Sequence, residues 1–188
     1  MYKILTMTSK IRVPPKYFGL DVKESIVKAI MEDYEGYLTP NQELLLCLID
    51  IKSIGDGIII PGDGAIYYNC EFDMLSYKPV LHEVVEGTIT EIAEFGAFAK
   101  IGPIEGLIHQ SQVMDDYVTY SKSKTLQGKN TKRVLKVGDK IRARVIAATF
   151  KTLQTAKIGL TMRQPGLGTL KWLEEERLKA QKVVKKSD

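Results

Sequence analysis

Between residues 83 and 163 the chain is cut into short runs by closely spaced glycines, and this punctuation restricts the fold more than any other feature. The runs are E-V-V-E-G-T-I-T-E at 83–91, E-F-G-A-F-A-K-I at 94–101 and E-G-L-I-H-Q-S at 105–111. Two more follow, V-G-D-K-I-R-A-R-V-I at 137–146 and K-I-G-L-T-M-R at 157–163. Short alternating runs with glycine turns between them predict a small closed barrel. In the fourth run Arg142 and Arg144 alternate with Ile141, Ala143 and Val145, which turns both arginines outward from one strand. The polar segment at 115–132 lengthens one connection as an insertion, and its part at 120–132 reads as flexible.

Charge divides the chain. Residues 1–80 carry 8 Lys and Arg against 11 Asp and Glu, whereas residues 81–188 carry 19 against 12. The basic half is the one suited to phosphate backbones, and the acidic half suits protein contacts. Residues 119–163 alone hold twelve Lys or Arg and one acid, Asp139. A run of this kind is often only a solvated face; beside a barrel it fits an electrostatic footprint for nucleic acid. No apolar run approaches the roughly 20 residues that a membrane span needs, and the start, M-Y-K-I-L, lacks the apolar core of a signal peptide. We therefore expect a cytoplasmic protein with no membrane partner. Cys47 and Cys70 sit alone in apolar surroundings, which predicts two buried, reduced thiols and no metal site.

The first half reads as a mixed α/β unit over 1–80. A strand at 1–13 leads into the turn Pro14-Pro15. Asp21, three residues before Glu24, matches a capping box. Val22, Ile26, Val27, Ile30, Met31 and Tyr34 then recur at helical spacing up to Gly36. Residues 44–54 are a long apolar run that predicts a strand buried on both faces. Residues 65–75 alternate, with Ile66, Tyr68, Cys70, Phe72 and Met74 on one face, which predicts a half-buried strand.

Two Gly-Asp-Gly triplets, at 55–57 and 62–64, lie between those strands. Neither sits in a phosphate-loop pattern, and no twelfth-position Glu completes a calcium loop. Both are expected to be turns of one long hairpin. Ile58, Ile59, Ile60 and Pro61 between them are exposed if that hairpin projects. They are either plain loop or a docking surface.

The barrel segment also resembles a known family. G-x-I-x-x-I-x-x-F-G-A-F, E-G-L-I-H-x-S, V-G-D-K-I-x-A-x-V and I-G-L-T-M-R, in that order, resemble the S1 motif, an OB-type barrel that binds single-stranded RNA. The resemblance implies RNA contacts at Phe95, Phe98, His109 and Lys157, with Thr149 where the family has an aspartate. Lys100, Arg142, Arg144 and Lys151 are added as basic candidates around that face. Phe95 and Phe98 are three apart, so they share a face only if the chain bulges at Gly96. Otherwise one of them is barrel core, and His109 has a structural reading of its own.

The whole chain, read end to end, resembles the E-prime family of archaeal RNA polymerase subunits, counterpart of the eukaryotic subunit seven. Its start M-Y-K, the P-P-x-x-F-G turn, the helix, the P-G-D-G loop and the S1 module follow in the family's order. The resemblance implies an α+β protein: a truncated ribonucleoprotein-like domain at 1–80, then an S1 barrel with a C-terminal helix at 81–188. It implies a non-catalytic stalk subunit, paired as a heterodimer with the small polymerase subunit known as F, that holds nascent RNA and supports open-complex formation and elongation. The implied core-docking tip comprises Pro14, Pro15, Tyr17, Phe18, Gly19, Ile59, Ile60, Gly62, Asp63 and Gly64. An S1 factor of translation or RNA decay is the alternative, against which the acidic half and the tip loops count. No nucleophile–base pair, carboxylate cluster or phosphate loop suggests catalysis or a cofactor.

Overall fold

The alternation at residues 66–74 becomes the central strand of a three-stranded antiparallel sheet. The computed structural model describes residues 1–121, 124–149 and 157–184, and the chain divides into two units at Lys78 and Pro79. In the first unit, strands β1 (Tyr2–Val13), β2 (Leu44–Ile59) and β3 (Ile66–Tyr77) lie in the order β1-β3-β2. Helix α1 (Val22–Tyr34) covers one face only. Ile26, Ala29 and Ile30 recur at i, i+3 and i+4 and bury against Ile11, Val13, Leu45, Cys70, Phe72 and Met74. Phe72 is fully buried, with Tyr34 set edge-on against it at 5.5 Å. Burying one such side chain contributes about 2–3 kcal/mol.

Five expectations need correction here. Asp21 caps α1 by accepting from the Lys23 amide, 3.2 Å away, but Glu24 pairs with Lys28 at 3.2 Å instead of closing a capping box. Val22 and Met31 stand outside the buried stripe and are exposed. β2 is not buried on both faces: it is a sheet edge, it slips register four times against β3, and most of it beyond Leu45 is exposed. Cys47, on that strand, is accordingly exposed, whereas Cys70 on the central strand is buried. Finally, Gly55-Asp56-Gly57 is no turn. It lies within β2 at a bulge where Ile54 pairs with Cys70 and Gly57 with Tyr68. A Cβ at Gly57 would lie 3.0 Å from the Tyr68 ring and 3.1 Å from Ile66. The glycine there gives room for side chains of the neighbouring strand.

From Pro79 the chain runs through β4 (Val84–Ala93), β5 (Gly96–Ile101) and β6 (Ile104–His109). An inserted sheet follows, β7 (Val118–Ser121), β8 (Thr125–Gly128) and β9 (Val134–Leu135). The chain ends with β10 (Lys140–Thr149), β11 (Lys157–Thr161), β12 (Gly168–Thr169) and helix α2 (Leu170–Val184). The order is β11-β6-β5-β4-β10-β12, and a further β10–β11 pairing closes five of these strands into a barrel. β4 reaches two neighbours by pairing its first half with β10 and its second with β5. β6 and β11 are the parallel pair. Ile89, Ala97, Ala99, Ile108, Ile141, Val145, Ile158 and Leu160 fill the interior. Period-two alternation then sends Phe98, Leu107, Gly159 and Ala147 outward.

The segment at 120–132, expected to be flexible, belongs to an insertion whose described residues form a folded sheet, β7-β8-β9. Leu126 and Leu135 are fully buried. Asp116 ties its loop together, accepting from the Tyr117, Asn130 and Thr131 amides at 2.7–2.8 Å and from the Thr131 hydroxyl at 2.9 Å. These bonds favour the ionised carboxyl and hold it below its ordinary range, with the Thr131 amide the main cause. α2 is held by Trp172, which is buried, with the Arg133 guanidinium 5.5 Å over its ring and Glu176 2.6 Å from that same arginine.

Candidate RNA interface and docking tip

The outward row on the barrel is set by register. Phe98 pairs with Glu91 on one side and Leu107 on the other, Leu107 with Gly159, and Gly159 with Ala147. Gly159 and Ala147 leave the middle of this face without bulky side chains. Phe98 is half-buried and stands at its edge. Phe95, 51% exposed, sits in the β4–β5 turn with its ring perpendicular to that of Phe98 at 6.0 Å. The odd offset is therefore overcome, and neither ring is barrel core. The expected bulge at Gly96 is absent: Phe95 precedes β5, in the turn, and Gly96 pairs in register with Ala93 and His109. A Cβ there would lie 2.2 Å from the Ile108 carbonyl oxygen and 3.1 Å from the His109 Cα. Only glycine lets β5 close on β6 at this point.

His109, paired with Gly96, is exposed at the end of β6. Its Nδ1 accepts from the Ser111 amide at 3.3 Å and lies 2.9 Å from the Ser111 hydroxyl. This fixes the ring at the head of a short 3-10 turn. Phe98, Leu107, His109, Ile146, Thr149 and Gly159 line one open groove. It offers the Phe98 ring and the His109 imidazole, with Phe95 beside Phe98 as a second ring for stacking, the chemistry that unpaired bases need. Lys100, two residues from Phe98, faces the same way, opposite Glu105. Lys151 and the side chain of Lys157 lie outside the described residues.

The two arginines are not brought to this groove. Arg142 pairs with Glu86 in register and holds its carboxylate at 2.8 Å, and Arg144 pairs with Val84, where β4 meets β10. Leu107 and Gly159 were missed as floor residues. The signal existed in period two, since Leu107 precedes His109 by two positions.

The tip of the first unit joins two loops. Pro14 and Pro15 open a 3-10 turn, with Pro15 at its first position. Gly62 adopts φ +92°, a conformation that glycine takes without strain, and turns β2 back into β3. A Cβ on Gly64 would come within 3.6 Å of Pro15, so the two loops adjoin. Phe18, Ile58, Ile59 and Ile60 are exposed there, Ile59 at 70%. Two predicted tip residues are already engaged. The Tyr17 ring packs on the core and its hydroxyl donates to Glu32 at 3.0 Å. Asp63 accepts from both Arg12 nitrogens, at 2.7 and 3.0 Å, from the Tyr67 hydroxyl and from the Ala65 amide at 3.2 Å. The Arg12 guanidinium above all holds the Asp63 carboxyl far below its usual range. Asp63 thus braces the turn.

Among the described residues no group of three His, Cys, Asp or Glu side chains is placed to hold a metal ion, and no helix is long and apolar enough to cross a membrane.

Two family profiles match. Residues 8–64 fit the SHS2 domain found in the N terminus of Rpb7p/Rpc25p/MJ0397, and residues 78–149 fit the S1 RNA binding domain. DNA-directed RNA polymerase subunit Rpo7 of Sulfolobus acidocaldarius is 37% identical over 97% of this chain and 100% of its own length. The Rpo7 of Saccharolobus solfataricus is 38% identical over 94% of this chain and 99% of its own. Subunit RPB7 of RNA polymerase II from Saccharomyces cerevisiae is 23% identical over 90% of this chain and 100% of its own. With both domains matched in order and relatives aligned along nearly their whole length, the chain belongs to the Rpo7/RPB7 family of DNA-directed RNA polymerase subunits.

Proposed function

We propose that this chain is the non-catalytic stalk subunit of a DNA-dependent RNA polymerase. It docks on the core through the tip formed by the 3-10 turn and the Gly62 hairpin, and it pairs with the small polymerase subunit known as F. It holds single-stranded nascent RNA on the barrel groove and supports open-complex formation and elongation. The observation that carries this reading is the Phe95–Phe98–His109 arrangement. A half-buried ring and an imidazole line the groove, with an exposed second ring edge-on beside the first, in a chain whose relatives are polymerase subunits. The tip supports the docking half, because four apolar side chains are exposed there on two braced loops.

Paired variants test the two halves separately. Phe98→Ala weakens binding of single-stranded RNA by about 1–3 kcal/mol in an anisotropy titration and leaves assembly with the polymerase core intact. Ile60→Asp does the reverse, since a charge at a desolvated contact carries a large penalty. RNA affinity unchanged by Phe98→Ala would remove the groove, and core assembly unchanged by Ile60→Asp would remove the tip.

A further inference from the structure

We propose that the cavity beside Tyr117 is a further nucleotide subsite, which takes a base of the same RNA strand after it leaves the barrel groove. This rests on the groove being an RNA site.

Three hollows run end to end. The groove beside Phe98 includes Gln112 and Ile146; the next hollow shares those two residues and reaches Asp115 and Arg163. The third shares Asp115 and Arg163 and ends at Tyr117 and Asn130, enclosing about 540 Å³. A strand lying on the groove therefore has a continuous path to Tyr117.

Tyr117 itself is out of place as a structural residue. Its ring is 80% exposed, yet its backbone is pinned. The amide donates to Asp116 Oδ1 at 2.7 Å, and the carbonyl accepts from the Lys129 amide at 2.9 Å. A large aromatic exposed on a fixed stretch of backbone adds little to stability and is placed for a flat partner.

The electrostatics favour a base inside and phosphates at the rim. Asp115 is neutralised by Arg163 at 2.7 Å, and Asp116 is occupied by its loop hydrogen bonds. The lining therefore holds two carboxylates against one guanidinium, a net negative charge that leaves phosphates to the rim. The inserted segment is basic in sequence, with six Lys or Arg and no acid over residues 117–138; of these, Lys124, Lys129 and Lys132 are exposed, while Arg133 is paired with Glu176. The barrel groove, by contrast, has Glu91 and Glu105 at its flanks. The inserted sheet thus adds positive charge to that of Lys100 on the barrel face.

The test is an anisotropy titration of the full chain with labelled homopolymeric single-stranded RNA of about 5 and about 12 nucleotides, spanning the usual range for one barrel of this type. Tyr117→Ala is expected to weaken the longer RNA about five-fold or more and to leave the shorter one unchanged. Tyr117→Phe, which keeps the ring, retains wild-type affinity for both. Equal affinities of Tyr117→Ala and wild type for the longer RNA, or an equal loss at both lengths, overturn the subsite. So does a variant that binds RNA normally but loses a protein partner. If the wild-type chain binds neither length, the groove reading falls together with this one.

Discussion

Gly96→Ala is the most informative single substitution on the barrel. The added methyl would lie 2.2 Å from the Ile108 carbonyl oxygen, against an ordinary contact of at least 3.4 Å. Relief requires β5 and β6 to part by about 1 Å at that row. The backbone carbonyl cannot rotate away as a flexible side chain could, because it belongs to the strand. Overpacking of this kind costs about 1–3 kcal/mol. The Gln110 amide, which donates to the Phe95 carbonyl at 2.9 Å, is strained by the same movement, for about 1 kcal/mol more. The expected destabilisation is about 2–4 kcal/mol. The sign is diagnostic, since Gly→Ala at an unhindered site stabilises by about 0.4–1 kcal/mol. Urea unfolding followed by fluorescence measures it cleanly. Trp172 is the chain's single tryptophan, and it is buried in the second unit. The same variant should also lose RNA affinity, because Phe95 and His109 flank the parted strands. Stability equal to or above that of wild type would refute close strand approach as the reason for glycine.

Other expectations follow from the same geometry. Lys100→Ala lowers the slope of log affinity against log salt by about 1, whereas Arg142→Ala, whose guanidinium is held by Glu86, leaves it unchanged; titrations at several salt concentrations separate the two. The Asp63 carboxyl is depressed by Arg12 and Tyr67. Its contribution is therefore complete above the ordinary carboxylate value of about 3.9 and is lost as pH falls through the folded value below it. Hydrogen exchange at the Ala65 amide, bonded to Asp63, should rise in that acid window, and Asp63→Asn should abolish the change. Cys47 should react with a thiol reagent in the native protein and Cys70 only after unfolding, as their exposure and burial require; a single fast-reacting thiol per chain is the expected count.

The barrel was legible because its information is local: glycine turns, period-two alternation and a distinctive run of motifs all fall within short windows. The helix α1 was legible for the same reason. What failed depended on neighbours. Residues 44–54 are apolar enough for a central strand, but order is a property of the whole sheet, and β3 took the centre. The first Gly-Asp-Gly triplet has the composition of a turn, yet its glycines serve the side chains across the strand. The polar segment at 115–132 offered few apolar residues, and its order comes from strand pairing over buried Leu126 and from Asp116, which collects hydrogen bonds from residues up to fifteen positions away. At the site, the two phenylalanines and the histidine could be named from motif. That Arg142 and Arg144 lie away from the groove required knowing that Glu86 is opposite the first and Val84 opposite the second.

The most direct test of the central claim is recovery of the tagged chain from its own cells, washed at rising salt, with mass spectrometry of what remains bound. The account predicts the large RNA polymerase subunits together with one small partner that persists to the highest salt. Recovery of ribosomal or exonuclease components in their place would contradict it.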